Sequence, residues 1–216
     1  PKILKRIKPP KFKKKDYLIT KYGAVGDGKT LCTEAIKSAI AECHKKGGGS
    51  VVVPKGEWLT GAIHLKSNVN LHVQKDATLK FSTDAKDYMP LVFTRWEGME
   101  LMHISPLIYA YEQSNIAVTG EGTLDGQGKA GFWKWHGSPR FGGDPAVKAQ
   151  RPDRDKLYDM MTRNAPVAER IFGETSWLRP QFIQPYKCKN VLIEGVKIVD
   201  SPMWEVHPVL CENVTV

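Results

Sequence analysis

Two glycine-rich stretches contain the residue types that bind phosphates. Gly23–Thr30, GAVGDGKT, fits the template G-x-x-x-x-G-K-[ST], in which loop amides and a lysine hold the phosphates of a nucleotide. Asp27 argues against nucleotide binding, because it would place a carboxylate next to the negatively charged phosphates. Gly120–Gly128, GEGTLDGQG, misses the dinucleotide fingerprint, which needs glycine where Asp125 stands and a helix after it. Neither stretch predicts a nucleotide site.

Titratable residues elsewhere show no spacing typical of a metal or acid–base site. His64 and His72 fall on outward positions of short strands, which favours wall histidines over metal ligands. Asp125 and Asp200 adjoin turns and are interpreted as corner formers. The cysteines lack metal-ligand spacing and a disulfide framework, which favours small buried side chains. They are Cys32, Cys43, Cys188 and Cys211. No metal and no cofactor is predicted.

The elements that would position any site are one helix and many short strands. Residues 31–46 read as a helix, capped by Thr30 or Thr33 and ended by the glycines at 47–49. The apolar face of this helix consists of Leu31, Ala35, Ile36, Ala39, Ile40 and Cys43. About a hundred residues of alternating runs and turns follow. This pattern argues further against a nucleotide fold, which needs helices between parallel strands.

An asparagine recurs at the start of similar strands. Asn68, Asn115, Asn190 and Asn213 are each followed by Val or Ile and an alternating run. The last two are 23 residues apart, the first two 47, close to twice that. The spacing of 75 residues from Asn115 to Asn190 is interpreted as one coil plus an insertion at 129–180. Asparagine tolerates the left-handed conformation of a tight corner, and its amide can bond to copies in neighbouring coils. The prediction is an all-β, right-handed parallel β-helix with an N-terminal capping helix.

The positive net charge of +9 comes from one end of the chain. Residues 1–15 contain eight of the 32 Lys and Arg residues and no acid, so the other 24 nearly balance the 23 acids. We interpret 1–15 as a basic arm and 16–216 as part of a single domain. No aromatic-rich basic patch follows the arm, so nucleic-acid binding is not predicted. No apolar run approaches the length of a membrane span.

Several motifs resemble one family. Residues 22–73, which include YGAVGDGKT, TEAIKSAIAEC and GGGSVVVPKGEWLTGAIHLKSNVNLHV, look like the capping unit of pectinase-type β-helices. GEGTLDGQG and RPQFIQPYKCKNVLIEGVKIVDSPMWEVHPVLCENVTV resemble the polygalacturonase family, glycoside hydrolase family 28. The resemblance runs from about Asp16 to Val216 and covers the insertion loosely. It implies that Gly23–Thr30 is a structural loop before the capping helix.

The resemblance implies hydrolysis of α-1,4-galacturonosyl links in pectin with inversion. The family's NTD, DD and GHG segments are absent here, and the only RIK lies at residues 6–8 in the arm. No catalytic residue is therefore assigned, and residues 1–216 alone are expected to be inactive. The alternative is a non-catalytic carbohydrate-binding or structural β-helix. The expected partner is a polyanionic galacturonan, and a secreted or periplasmic location is favoured over a cytoplasmic one.

The 23-residue period also predicts a binding surface. It aligns His207 with Gln184 and Tyr109, and it aligns their neighbours Val206, Ile183 and Ile108 in an apolar column. Because alternate side chains of a strand point oppositely, the apolar column faces the core and the other column faces outward. By resemblance, the rung beyond His207 belongs to the catalytic face. The predicted substrate-binding residues are therefore His207, Gln184, Arg179, Tyr109 and Glu205.

The insertion at 129–180 is predicted to form a wall over the cleft, with a short helix near DRDKLYDMM. It is rich in side chains that suit sugar rings and uronate carboxylates. They are Trp133, Trp135, His136, Arg140 and Trp177. The alternative is that the tryptophans pack a loop that lacks a core of its own.

Overall fold

The computed structural model describes residues 2, 6–141, 143 and 149–216 as stacked coils whose strands form three parallel sheets. The first sheet contains β1 (Asp16–Leu18), β3 (Gly49–Val53), β6 (Val69–Val73), β11 (Ser114–Gly120), β15 (Lys189–Glu194) and β17 (Glu212–Thr215). The second sheet contains β2 (Asp27–Leu31), β4 (Gly56–Thr60), β7 (Ala77–Phe81), β12 (Thr123–Asp125) and β16 (Lys197–Val199). The third sheet contains β5 (Ile63–His64), β10 (Ile108–Tyr111) and β14 (Ile183–Tyr186). The predicted right-handed parallel β-helix is confirmed.

Apolar side chains of the first sheet stack in register inside the coils. Val51, Leu71, Val118 and Ile193 pair rung by rung along the sheet, and each is at most 5% exposed. Each such burial stabilises the fold by about 1.5–3 kcal/mol relative to exposure. The alternating runs of these strands therefore bury their apolar side chains inside the coils.

The four asparagines form one continuous ladder at a corner of the coils. All have positive φ, between 53° and 66°. The side-chain amides of Asn115, Asn190 and Asn213 each donate to the preceding asparagine of the ladder, at 3.0–3.1 Å. The interpretation of the 47-residue spacing as two periods was wrong, because Asn68 and Asn115 lie on adjacent rungs. A hairpin within that coil supplies the extra length.

That hairpin and the insertion leave the stack at the same corner of adjacent coils. The hairpin strands, β8 (Val92–Trp96) and β9 (Met99–His103), are antiparallel, and the short β13 (Ile171–Phe172) of the insertion pairs with β9. The insertion also contains α2 (Gln150–Thr162), which includes the predicted DRDKLYDMM helix. Both segments lie between a second-sheet strand and a third-sheet strand. They share a separate apolar cluster of Trp96, Met99, Leu101, Leu157, Met160, Ala165, Phe172 and Leu178.

The capping helix, α1 (Thr33–Lys45), is shorter than predicted. Its buried residues are Ile36, Ala39, Ile40 and Cys43, and it packs against β1, β3 and β5. The prediction for Leu31 was wrong, because Leu31 ends β2 and is exposed. Neither threonine caps the helix: its first turn has no side-chain cap, and the Thr33 hydroxyl accepts from the Gly61 amide at 2.7 Å. Cys32 lies just before the helix, whereas Cys43 lies within it.

Asp27 occupies the loop that resembles a phosphate site. Its Oδ1 accepts from the backbone amides of Lys29 (2.8 Å) and Thr30 (2.7 Å), and its Oδ2 accepts from the Thr30 hydroxyl (2.7 Å). These hydrogen bonds lower the pKa of Asp27 to about 2. The donors that a phosphate would need are therefore bound to a carboxylate of the chain itself.

The described part of the basic arm, from residue 6 onwards, lies against the outside of the coils. Lys13 Nζ donates to the Lys46 carbonyl at 3.1 Å, and β1 begins at Asp16. The arm and the asparagine corner border a groove lined by Arg6, Lys8, Lys11, Asn115, Asn190 and Asn213. Neither helix in the described part of the chain combines the length and apolarity needed to cross a bilayer.

Candidate functional site

A column of polar and aromatic side chains follows the outer face of the third sheet. Backbone pairing aligns His64 with Tyr109 and Tyr109 with Gln184, and Gln184 precedes His207 by one 23-residue coil. On the inner face, Ile108 pairs with Ile183, which bridges to Val206. The predicted register of both columns is confirmed.

Facing outward does not make this column exposed. The hairpin strand β8 covers Tyr109, which is 6% exposed, and Gln184, which is 0% exposed. The Tyr109 hydroxyl donates to the Phe93 carbonyl at 2.5 Å, and burial raises its pKa. At the other end, His64 hydrogen-bonds with the Ser105 hydroxyl at 2.9 Å. Tyr109 and Gln184 therefore lie beneath the hairpin, where solvent does not reach them.

Gln184 makes three side-chain hydrogen bonds. Its Oε1 accepts a short hydrogen bond from the Thr94 hydroxyl of β8. Its Nε2 lies 3.0 Å from the Arg95 carbonyl and 2.9 Å from Nδ1 of His207. The amide thus links the hairpin to the outermost residue of the column.

His207 is half-buried at the open end of the column. The ring of Trp204 meets the imidazole edge-on, with ring centroids 4.6 Å apart. Burial and the positive charge of Arg95 lower the pKa of His207, which favours the neutral imidazole. The indole of Trp204 is 47% exposed. The pair presents a polar ring and an apolar surface side by side.

A charged cluster near His207 combines two hairpin residues, Arg95 and Glu100, with Tyr186 of β14. Arg95 pairs with Glu100 at 3.1 Å, and the Tyr186 hydroxyl donates to Glu100 at 2.5 Å. These bonds, that from Tyr186 most of all, lower the pKa of Glu100. Burial and the same bond raise the pKa of Tyr186 to about 12. Sequence reasoning missed this cluster, although alternating runs on both sides of Glu97-Gly98 were a signal for a two-residue hairpin turn.

Arg179 and Glu205 are the two charged residues of the predicted site. The Arg179 guanidinium donates to the Gln150 side chain at 2.9 Å and to the Pro202 carbonyl at 3.0 Å. Burial lowers its pKa, but an arginine stays charged at pH 7. Glu205 is exposed at a bend between Trp204 and His207. Arg179 thus connects α2 of the insertion to the turn that carries Trp204.

The tryptophans of the insertion are engaged in packing. Trp133 Nε1 donates to the Ser201 carbonyl at 2.7 Å. Trp135 meets Phe132 and Trp177 edge-on, with ring centroids 4.8 and 5.3 Å apart. These contacts favour the packing interpretation for the three tryptophans. The exposed indole at the site is instead Trp204, which the sequence reasoning had not chosen.

The described residues hold no cluster of three or more His, Cys, Asp or Glu side chains that could bind a metal. Asp125 Oδ1 accepts from the Gln127 amide at 2.9 Å, and Asp200 has a φ of 46°. Both aspartates therefore form corners, as predicted. The described site offers hydrogen bonding, positive charge and an apolar ring face.

Comparison with known proteins finds similar chains, although no family model matches this one. The structure of a hyperthermoactive exopolygalacturonase from Thermotoga maritima superposes with a TM-score of 0.94 and 48% sequence identity. That match covers 99% of this chain and 48% of the other.

Curated relatives agree with the structural match. A probable polygalacturonase of Vitis vinifera is 28% identical over 90% of this chain and 34% of its own length. An exo-poly-alpha-D-galacturonosidase of Dickeya chrysanthemi is 37% identical over 54% of this chain and 19% of its own. The chain thus spans about a third or less of these two relatives. The chain is similar to polygalacturonases and exopolygalacturonases, and it has a right-handed β-helix fold.

Proposed function

We propose that this chain forms part of the substrate-binding cleft of an enzyme that hydrolyses α-1,4-galacturonosyl links in pectin with inversion. The observation that carries the proposal is the match to an exopolygalacturonase over 99% of the chain. The exposed Trp204 and half-buried His207 indicate where on the coils a sugar would bind. The substrate is a polyanionic galacturonan.

In this proposal, His207 and Trp204 contact one sugar unit. The neutral imidazole donates a hydrogen bond to a uronate carboxylate or a hydroxyl group, and the exposed indole packs against the apolar face of the ring. Arg179 supplies positive charge nearby, and Glu205 can accept from sugar hydroxyls. Tyr109 and Gln184 were predicted to bind substrate directly, but the hairpin covers both. We assign them to the support of His207.

The catalytic acids of the proposed reaction are not assigned to residues of this chain. Inversion needs two carboxyl groups about 6.5–9.5 Å apart, so that a water molecule fits between one of them and the sugar. In the described part of the chain, Asp125 and Asp200 form corners, and Glu100 is bound to Arg95 and Tyr186. We therefore assign substrate binding and orientation to this site.

A non-catalytic carbohydrate-binding β-helix is the second candidate, because exposed aromatic and cationic side chains serve binding as well as catalysis. Release of reducing ends from polygalacturonate by the full-length protein separates the two. An enzyme releases them at a steady rate. Retention on polygalacturonate without release would establish the binding protein instead.

His207→Ala in the full-length protein tests the site. We expect kcat/KM to fall at least about tenfold, equivalent to about 1.4 kcal/mol, in a variant that remains folded at the assay temperature. His72→Ala is the matched control, since His72 lies on the outer face of the first sheet and bonds to Thr119 at 3.0 Å. Normal kinetics for His207→Ala would show that His207 does not contribute to substrate binding.

A further inference from the structure

We propose that Gln184 is a positioning residue that fixes the proton of His207 on Nε2, so that the imidazole presents one defined donor at the open end of the site. The tautomer itself follows from the hydrogen bonds around Gln184. Its value for sugar binding rests on the proposed function.

The orientation of the Gln184 amide is determined by the hairpin. The Arg95 carbonyl can only accept a hydrogen bond, so the group 3.0 Å from it is the amide nitrogen. The opposite orientation would place two carbonyl oxygens against each other. The Thr94 hydroxyl then donates to Oε1, which completes the arrangement. Gln184 therefore has one orientation that satisfies both of its hairpin partners.

The amide orientation determines the state of His207. One N–H of the Gln184 side-chain amide is directed to the Arg95 carbonyl. The other N–H of the same amide meets Nδ1 of His207, with the two nitrogens 2.9 Å apart. Nδ1 must accept this bond and so carries no proton. A neutral imidazole has one proton, which is then on Nε2. An imidazolium would direct a second N–H against the amide N–H, so the same contact disfavours the charged form.

The support for this arrangement is buried. Gln184 is 0% exposed and Thr94 is 2% exposed, so water cannot replace their partners. Thr94 and Arg95 belong to β8, which is held in register against β9. The hairpin, 89 residues from Gln184 in sequence, thus sets the donor at His207 through a single side chain.

Nuclear magnetic resonance of the chain labelled with ¹⁵N-histidine measures the tautomer directly. Long-range ¹H–¹⁵N correlations distinguish a protonated ring nitrogen from an unprotonated one, and His207→Ala identifies the His207 signals among six histidines. We expect a protonated Nε2 and an unprotonated Nδ1 at pH 7. A protonated Nδ1, or a mixture of the two tautomers, would overturn the proposal.

Gln184→Glu tests the cause. A carboxylate cannot donate to Nδ1 but can accept from it, so we expect the proton to move to Nδ1 and the pKa of His207 to rise. Gln74→Glu, at an exposed site on the first-sheet wall, should change neither. An unchanged His207 spectrum in Gln184→Glu would also overturn the proposal. The wild-type spectrum tests the tautomer even if this variant does not fold.

Kinetics of the full-length protein separate positioning from binding. If Gln184 acts through His207, Gln184→Glu lowers kcat/KM by no more than His207→Ala, and the double variant loses no more than His207→Ala alone. Additive losses would show that Gln184 acts independently of His207 and would contradict the positioning role. If His207→Ala has normal kinetics, the proposed function of the site fails while the measured tautomer stands.

Discussion

Replacement of Asn190 tests the asparagine ladder, because this residue both donates and accepts within it. Its Nδ2 donates to Asn115 at 3.0 Å, and its Oδ1 accepts from Asn213 at 3.1 Å. Asn190→Gly removes both bonds but keeps the freedom to adopt the φ of 55°. At about 0.5–1.5 kcal/mol per bond, the free energy of unfolding should fall by about 1–3 kcal/mol.

Asn190→Ala removes the same bonds and adds the steric cost of a left-handed residue with a Cβ, about 1–2 kcal/mol. The expected total is therefore about 2–5 kcal/mol. Urea unfolding of the chain measures both changes, with an unchanged denaturant slope if the unfolded states are alike.

Asn164 provides the control for this measurement. It also has a positive φ, 54°, but among the described residues its side chain makes no hydrogen bond that would extend the ladder. Asn164→Gly should therefore cost less than Asn190→Gly. If both changes cost the same, the amide bonds of the ladder contribute nothing net to stability, and the reasoning is refuted.

Three further predictions concern single side chains. Burial lowers the pKa of His103 to about 4 in the folded chain, from about 6.5 in the unfolded chain. Between these values the unfolded chain binds more protons, so the free energy of unfolding should fall by about 3 kcal/mol from pH 6.5 to pH 4. His103→Gln should remove this part of the pH dependence of stability, measured by urea titrations. Greater stability of the wild-type chain in acid would contradict the prediction and would show that a charged His103 donates to the carbonyl oxygens of both Phe172 and Leu178. Trp204→Ala in the full-length protein should raise KM several-fold without changing Tm, and an unchanged KM would exclude the indole from the cleft. Leu157→Ala, in the separate cluster, should lower the free energy of unfolding by about 2–5 kcal/mol. Amide hydrogen exchange should increase first in the hairpin and the insertion. A uniform increase throughout the chain would contradict a separate cluster.

The coils could be predicted from the sequence because each rung repeats the same local rule. Alternation specifies which side chains face inward, and the recurring asparagine marks a corner that needs a positive φ. The 23-residue spacing from Asn190 to Asn213 therefore aligned Gln184 with His207 before any coordinates. Where two corners lay 47 residues apart, the same rule failed, because the hairpin and the segments that flank it together lengthen that coil by about one period.

The cover over the site could not be predicted, because it depends on contacts distant in sequence. Alternation placed Tyr109 and Gln184 on the outer face but contains no information about what lies above them. Thr94 is 90 residues from Gln184, and it reaches Gln184 only because the hairpin folds back over the third sheet. Trp204 was recognisable in principle as a large apolar residue next to a turn, but only the structure shows that it remains exposed.

The common corner at which the hairpin and the insertion leave the coils has an evolutionary consequence. Both outgrowths connect a second-sheet strand to a third-sheet strand, and the sheets on either side keep their register across them. Lengthening a surface connection adds only a small closure entropy, which grows with the logarithm of its length. Residues can therefore be gained, lost or exchanged at this corner without disturbing the stacked rungs. A lineage can remodel the entrance to the third-sheet surface while the solenoid that supports it remains the same.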